Sequence, residues 1–168
     1  PVLGILGFIY QDRFFDYTIQ KFTKKEEQTI VQQFADHLWK IYDQNINIYH
    51  WGHAEYNYFS YIHETYPTIQ FPKYQLINVL DYFRMEPIIV QGVFKFGLKS
   101  IGKALYKNQL IQTTWDENDN GLDSMIQFKD ICKKNNKKIP LKRYVEIKDI
   151  INYNRIDCQV LYEIVDLL

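Results

Sequence analysis

The sequence predicts a single α/β domain, because strand-like runs and amphipathic helix patterns alternate along its 168 residues. Two β-rich runs stand close together at the N-terminus, a helix signature follows them directly, and a strand-like apolar run follows the helix. No internal repeat, low-complexity tract or linker interrupts this pattern. We therefore expect residues 1–168 to form one domain, long enough to bury a core of its own.

The first elements are predicted to be a hairpin and a long helix. Leu3–Tyr10 and Arg13–Gln20 are rich in apolar and aromatic residues, and only Gln11-Asp12 separates them. That spacing favours a tight hairpin, although neither connecting residue is Gly or Asn. Thr23-Lys24-Lys25-Glu26 then matches a capping box, and apolar residues recur behind it at helical spacing. This pattern predicts a helix over residues 24–42.

The rest of the chain is predicted to hold two more strands and several helices. Gly52 interrupts the apolar run after the first of these strands, and prolines bound the loop before the second. The C-terminal helix has an apolar stripe formed by Ile156, Val160, Ile164 and Leu167. The predicted elements are strands Ile46–Trp51 and Leu76–Leu80, helices Ala54–Thr65, Leu98–Tyr106, Leu122–Lys133 and Glu146 to the end, and polar loops Asp116–Asn120 and Asn135–Lys138.

Composition restricts the class of protein. Twenty basic residues balance twenty acidic ones, which argues against a protein that coats DNA by charge alone but not against a nuclease with an acidic site. The two cysteines, Cys132 and Cys158, form no CxxC pair, which favours a reducing compartment. No apolar run approaches the ~20 residues of a membrane span. We expect an intracellular protein of the cytoplasm or nucleus, and Pro1 in place of Met indicates a fragment or a processed chain.

The first candidate site lies near the C-terminus, in Tyr153-Asn154-Arg155-Ile156-Asp157. Tyr153 and Asp157 are four residues apart and share one helix face beside the apolar stripe. A carboxylate in that position needs a partner, because an unpaired buried charge is costly. A divalent metal ion is one such partner, and a boundary position on the helix surface is the structural alternative.

The second candidate follows the strand at Ile46–Trp51, where sites are commonly built in α/β sheets. Glu55 stands in the first turn of the next helix, after His50 and His53. An acid there also suits the helix dipole without any further role. A zinc site of His50, His53 and Glu55 is a weaker alternative, because the spacing is unusual and no fourth ligand is near in sequence.

The third candidate is Lys99, in Phe96-Gly97-Leu98-Lys99-Ser100-Ile101. It opens a helix after an extended segment, and helix N-termini favour phosphate groups. A solvated lysine is the alternative interpretation of the same residue.

Taken together and in this order, the three signals resemble the YprB-like branch of ribonuclease H-like domains, within the DEDD superfamily of 3′–5′ exonucleases. The resemblance runs over nearly the whole chain and implies a mixed sheet flanked by helices. The matching segments are Ile48-Tyr49-His50-Trp51-Gly52-His53-Ala54-Glu55, Val79-Leu80-Asp81-Tyr82-Phe83-Arg84, Phe96-Gly97-Leu98-Lys99-Ser100-Ile101, Gly121-Leu122-Asp123-Ser124-Met125 and Tyr153-Asn154-Arg155-Ile156-Asp157-Cys158.

The resemblance implies an activity and a site. Four carboxylates of the family hold two Mg²⁺ or Mn²⁺ ions that promote phosphodiester hydrolysis of DNA or RNA. Glu55 matches the acid of the second exonuclease motif and Asp157 that of the third, so both are expected to be metal ligands. Tyr153 matches the residue that orients the attacking water. Lys99 and His53 are expected to contact the nucleic acid.

Two departures from the family pattern affect this expectation. The second motif usually has Asp after an aromatic residue, whereas this chain has Ala54-Glu55. The first motif, Asp-x-Glu on the first strand, has no match; the nearest mimic is Asp16, with Thr18 in place of Glu. The better explanation is that Leu3–Tyr10 is already the second strand and the first, central strand is missing from this chain. We then expect a gap or a rearranged pairing beside it, and no nuclease activity from the 168 residues alone.

Two rival functions remain open at this point. One is a non-catalytic nucleic-acid-binding or scaffold domain that kept the fold, and the other is an unrelated α/β interaction domain. Other domains or a missing N-terminal segment of the full-length protein are the expected partners besides DNA or RNA. The residues before Pro1 would discriminate between the exonuclease and a non-catalytic scaffold. A strand there that carries Asp-x-Glu favours the enzyme, and its absence favours the scaffold.

Overall fold

The computed structural model describes residues 2–85, 88, 90–116, 121–135 and 139–168, with the backbone alone for residues 121–125. Apart from Asp116 and Asn135, the predicted loops Asp116–Asn120 and Asn135–Lys138 lie outside the described residues. The backbone of the segment Gly121–Met125 lies in a helix, but the roles of its side chains are likewise outside that description.

The N-terminal hairpin is confirmed. Strand β1 (Ile5–Tyr10) pairs antiparallel with β2 (Arg13–Thr18) across a two-residue turn. Gln11 and Asp12 have φ of 48° and 61°, in the left-handed region. Two successive residues with positive φ match the twist of the flanking strands, which is why the turn is tight without Gly or Asn.

Helix α1 (Lys24–Ile41) begins where the capping box predicts, but only half of the box forms. The Thr23 hydroxyl accepts the amide N–H of Glu26 at 3.3 Å. The Glu26 carboxylate accepts the amide of Gln20 at 3.0 Å, which connects the end of the hairpin to the helix. Glu26 thus stabilises the connection between β2 and α1 instead of accepting the Thr23 amide, which would have completed the capping box.

A parallel strand pair follows. Strand β3 (Ile46–His50) pairs with β4 (Tyr74–Asn78), in a register that places His50 opposite Asn78. Helix α2 (Ala54–Thr65) makes the connection between them, as predicted.

The predicted strand Leu76–Leu80 is wrong at its C-terminal end. The chain leaves β4 after Asn78 and enters a short helix, α3 (Val79–Met85). Val79, Leu80 and Phe83 are buried at helical spacing, so the apolar run belongs partly to a strand and partly to a helix.

The C-terminal half is helical. It contains α4 (Leu98–Lys107), α5 (Gly121–Lys134), a 3₁₀ turn at Leu141–Arg143 and α6 (Val145–Leu167). The predicted stripe of α6 is buried except for Leu167, which is 49% exposed because it is the last helical residue.

Helices cover the strands on two sides. Apolar residues of α1 and α2 form one core with alternate residues of β1, β3 and β4, among them Leu6, Phe8, Ile46, Ile48 and Leu76. Helix α6 contacts β1, β2 and β3 and packs against α4 and α5. The mixed α/β class is thereby confirmed.

The strands form two separate sheets. In the described residues the only strand that pairs with β1 is β2, and the only strand that pairs with β3 is β4. The hairpin and the parallel pair thus form no common ladder in the described residues, which agrees with the expected gap or rearranged pairing, while α6 contacts strands of both sheets. No helix in the described ranges is both long and apolar enough to cross a lipid bilayer.

Candidate active site

Three of the predicted residues meet around one indole ring. Trp115 donates its Nε1–H to Oδ1 of Asp157 at 2.6 Å. The Lys99 ammonium lies 5.9 Å from the Trp115 ring centroid and 5.7 Å from that of Tyr153. The i, i+4 spacing of Tyr153 and Asp157 thus places both on the side of α6 that faces the start of α4.

Trp115 belongs to this cluster, although no sequence motif pointed to it. It is only 3% exposed, and the segment before it is held against α6 by Glu163. The Glu163 carboxylate accepts the amides of Gln112 and Thr113 at 2.7 and 3.0 Å, and the Thr113 hydroxyl at 2.5 Å. A buried indole N–H needs a hydrogen-bond acceptor. The presence of a tryptophan in this part of the sequence was therefore the one signal that could have pointed to a polar partner such as Asp157.

Glu55 occupies the first turn of α2, just beyond the end of β3. Its Oε2 lies 4.0 Å from Nδ1 of His50, which is only 4% exposed. Burial raises the pKa of the Glu55 carboxyl, while its own backbone N–H and His50 oppose the rise. Half of the side chain still reaches solvent, so the carboxyl stands at the rim of the site rather than in the core.

Both candidate acids influence the same thiol. Burial raises the pKa of Cys158 to about 12, and the charges of Asp157 and Glu55 add to the effect. The Cys158 thiol donates to the carbonyl oxygen of Gly7 in β1 at an S–O distance of 3.6 Å. This thiol contact joins α6 to β1 at the residue that follows Asp157.

The backbone of the turn after β3 is fixed by a side chain of β4, the other strand of the parallel pair. Oδ1 of Asn78, the last residue of β4, accepts the amide of Gly52 at 2.8 Å. Gly52 has φ of 86°, a conformation that favours glycine, and it leads the chain into α2. The Asn78–Gly52 hydrogen bond thus fixes the turn by which the chain leaves β3 and enters α2, where Glu55 stands.

Other sequence candidates are not brought into the cluster. His53 is exposed, and as the N-cap of α2 it makes no capping hydrogen bond with its side chain. Asp16, the alternative first-motif acid, pairs with Lys142 at 2.6 Å and accepts the Thr18 hydroxyl at 2.9 Å. A carboxylate already balanced by a lysine is poorly suited to hold a metal ion.

The donor set fits part of a divalent metal site. Carboxylate oxygens are the ligands that Mg²⁺ and Mn²⁺ prefer, and Glu55 and Asp157 supply them. Within the described residues, however, no group of three or more His, Cys, Asp or Glu side chains could hold a metal ion. These residues alone therefore complete neither a magnesium site nor the zinc site considered for His50, His53 and Glu55.

Two buried polar atoms, one on β3 and one on α6, have no hydrogen-bond partner among the described residues. They are Nδ1 of His50, at the end of β3, and Oδ1 of Asn154 on α6. The Asn154 oxygen lies so close to β1 that a Cβ built on Gly7 would clash with it, so only glycine fits there. Buried unsatisfied atoms cost roughly 1–3 kcal/mol each and mark sites that a further group can stabilise.

Comparison with known protein families gives one match over almost the whole chain. The family model described as RNase_H superfamily matches residues 2–168. No curated protein and no solved structure shows significant similarity to the chain.

Proposed function

The chain belongs to the ribonuclease H superfamily, and on that premise we propose that its completed domain is a 3′–5′ exonuclease of the YprB-like branch. The substrate is DNA or RNA, and the reaction is hydrolysis of the terminal phosphodiester bond. In this proposal Glu55 and Asp157 are metal ligands and Tyr153 orients the attacking water. Lys99 and His53 contact the nucleic acid.

The observation that supports the proposal most is the cluster around Trp115. It joins Tyr153, Asp157 and Lys99, three residues that the motif resemblance selects independently. In the proposal Glu55 joins them from the first turn of α2, just beyond the end of β3. A nuclease site requires such a combination of carboxylates, a hydroxyl and a cation in one place.

The chain's own residues have distinct tasks in this reaction. A bound pair of Mg²⁺ or Mn²⁺ ions would activate water and stabilise the leaving 3′ oxygen. The Trp115 indole fixes one oxygen of Asp157, which orients the carboxylate. The Tyr153 hydroxyl is suited to hold the water in line, and Lys99 beside it can neutralise a phosphate oxygen.

A further strand that carries Asp-x-Glu would complete the domain. Such a strand would fit between β1 and β3, which have no strand partner on one side among the described residues. It could also supply partners for His50 and Asn154, whose buried polar atoms lack them. Its two acids would raise the number of carboxylates at the site from two to the four that the family uses.

One observation favours a second function, a nucleic-acid-binding or scaffold domain without catalysis. Two carboxylates among the described residues do not make a metal cluster. If the full-length protein supplies no Asp-x-Glu strand, the fold and its cationic residues can still bind a strand of nucleic acid without cleaving it.

The first experiment compares the 168-residue chain with the same chain extended at its N-terminus. Each is incubated with a 3′-labelled oligonucleotide in Mg²⁺ and in Mn²⁺. We expect stepwise loss of 3′ nucleotides with the extended protein and none with the shorter chain, because the shorter chain supplies only two of the four carboxylates that the family uses to hold two metal ions. No metal-dependent cleavage by an extended protein that carries Asp-x-Glu would overturn the exonuclease in favour of the scaffold.

The second experiment tests the residue roles in the extended protein. Asp157→Asn should lower turnover by more than about 100-fold, since even groups that only orient a ligand contribute 10–100-fold. Tyr153→Phe removes a hydroxyl but no ligand and should have a smaller effect. Glu64→Gln, an exposed acid at the far end of α2, is the matched control. Full activity of Asp157→Asn in Mg²⁺ contradicts the proposed metal site.

A further inference from the structure

The segment from residue 87 to residue 115 has an unusual charge. It contains four lysines, Lys95, Lys99, Lys103 and Lys107, and no Asp or Glu, in a chain whose basic and acidic residues otherwise balance. Because the whole chain has no net charge, the remainder carries four more acidic than basic residues. The lysines of this segment therefore stand out against an acidic background rather than belonging to a uniformly basic surface.

Three of these lysines form a stripe along α4. Lys99, Lys103 and Lys107 are spaced by four residues, which places them on one side of the helix over a rise of about 12 Å. Ile101 and Leu105 are buried against α6 and its neighbours on the opposite side. Lys103 and Lys107 are exposed and pair with no carboxylate of the described residues.

The stripe begins at the candidate active site. Lys99, its first member, lies over the rings of Trp115 and Tyr153. The loop before it is held to the end of β3, because the Trp51 indole donates to the carbonyl oxygen of Phe96 at 3.0 Å. A chain bound along the stripe would therefore have one end at Tyr153 and Asp157.

Exposed aromatic rings accompany the cations. Phe94 is 97% exposed, and Phe96 and Tyr106 are 44% and 45% exposed. Lys95 stands between the two phenylalanines, so aromatic and cationic side chains alternate in the loop. Exposed rings that lie close together in the sequence and beside charged side chains are typical of an interaction surface, whereas a single exposed ring is not.

From these observations we propose that the loop at residues 94–96 and the lysine stripe of α4 form a track for single-stranded nucleic acid. Lysines spaced along a helix suit the phosphate backbone, and exposed rings suit bases, whose faces are accessible only when unpaired. If the site is an exonuclease, as proposed above, its substrate is then an unpaired strand. That conclusion about the substrate rests on the proposed function. Binding along the track does not depend on cleavage.

The test is binding of a 5′-labelled 20-nucleotide oligothymidine to the 168-residue chain in EDTA, followed by fluorescence anisotropy over a range of salt concentrations. Lys103→Gln/Lys107→Gln should reduce the slope of log affinity against log salt by about 1.4, since each single-strand phosphate contact contributes about 0.7. Lys25→Gln/Lys40→Gln, an equal charge change on α1, should leave the slope unchanged. Equal slopes for the two double variants would overturn the track.

A second variant separates base stacking from charge. Phe94→Leu keeps an apolar side chain but removes the ring, and should weaken single-strand binding at least about fivefold, the lower end of one lost stack. The affinity for a 20-base-pair duplex should be lower than for the single strand and insensitive to this change. Unchanged single-strand affinity of Phe94→Leu, or equal affinity for duplex, contradicts the proposal. So does binding to phosphatidylserine vesicles without binding to the oligonucleotide.

The two proposals can fail separately. If binding depends on the track but the extended protein cleaves nothing, the exonuclease fails and the track stands. If the extended protein cleaves but the two lysine double variants bind alike, the track fails and the exonuclease stands.

Discussion

Glu27 is a buried carboxylate that accepts hydrogen bonds from the hydroxyls of three tyrosines. The distances from its oxygens are 2.6 Å to Tyr66, 2.9 Å to Tyr61 and 3.4 Å to Tyr58. The side chain is fully buried in the first turns of α1. A carboxylate in such a place is tolerated only because its oxygens are satisfied.

Two further groups complete the surroundings of Glu27. The amide of Leu3 donates to Oε1 at 2.7 Å, which attaches the chain before β1 to α1. The Lys24 ammonium donates to Oε2 at 3.1 Å. Burial alone would raise the pKa of Glu27, but the hydrogen bonds from Tyr66, Leu3, Tyr61 and Lys24 outweigh it and lower the pKa.

A lowered pKa makes Glu27 a source of acid sensitivity. Its stabilisation is fully present above the unfolded-state pKa of about 4.3 and is lost as pH falls through the lower folded-state pKa. Glu27→Gln should cost about 1.5–3 kcal/mol at pH 7, as for one hydrogen bond to a charged group. Urea unfolding at pH 7 and at pH 3 measures both effects, and the difference from wild type should shrink at pH 3.

The control for Glu27→Gln is Glu64→Gln, which removes an exposed carboxylate from α2. It should leave the free energy of unfolding unchanged at both pH values. An equal loss in both variants, or a Glu27→Gln effect that grows as pH falls, would show that the tyrosine cluster does not stabilise the charge.

Among the elements, α4 and α6 are in close contact at Gly102. A Cβ built there would lie 2.7 Å from Cγ1 of Val160 and 2.9 Å from the Trp115 ring, both of which are buried. The small residue thus allows α4 to pack on α6 with Trp115 beside it. The position of Lys99 and of the lysine stripe depends on this contact.

Gly102→Ala should therefore destabilise the protein although alanine favours helices. Overpacking costs roughly 1–3 kcal/mol, and the gain in helix propensity returns at most about 1 kcal/mol. Thermal or urea unfolding measures the net effect, a loss of up to about 2 kcal/mol once the gain in helix propensity is subtracted. Ser100→Ala is the matched control, because it adds alanine at an exposed position of α4 and should be neutral or stabilising. A stabilising Gly102→Ala would mean that the helices can separate.

At the scale of the whole molecule, the two sheets belong to one layer without sharing hydrogen bonds. Both pack against α1 and α2 on one side, and α6 contacts strands of both. Within the described residues, β1 and β3 each have one edge without a strand partner. Unpaired edges lower stability and invite association with other chains.

Amide hydrogen exchange can test this arrangement. In the 168-residue chain the amides of β1 and β3 should exchange faster than those of α6 around Ile156–Val160, where the helix is buried. In the N-terminally extended protein both strands should gain protection, since an added strand satisfies their edges. Equal protection of β1, β3 and α6 in the shorter chain, with a monomeric, cooperative unfolding transition, would contradict the gap.

Local patterns were sufficient for most elements, since periodicity and capping depend on residues close in sequence. Thr23 and Glu26 predicted the start of α1, the break at Gly52 preceded a correctly bounded α2, and apolar spacing predicted α6 closely. The same reasoning misplaced the end of β4, because the run Leu76–Leu80 is apolar whether it is strand or helix. The burial of Glu27 could not be predicted from local patterns either, because an acid in the first turn of a helix is usually exposed.

The sequence by itself determined the α/β class, because helix and strand periodicity is local, and its resemblance to a known family selected Glu55, Lys99, Tyr153 and Asp157 as candidates. Only the tertiary structure decided that Trp115 meets Asp157 across 42 residues of sequence, and that Asp16 pairs with Lys142 instead of joining the site. It also decided that the two sheets stay apart. Such contacts depend on how α6 packs across the strands, and long-range packing is not contained in local periodicity.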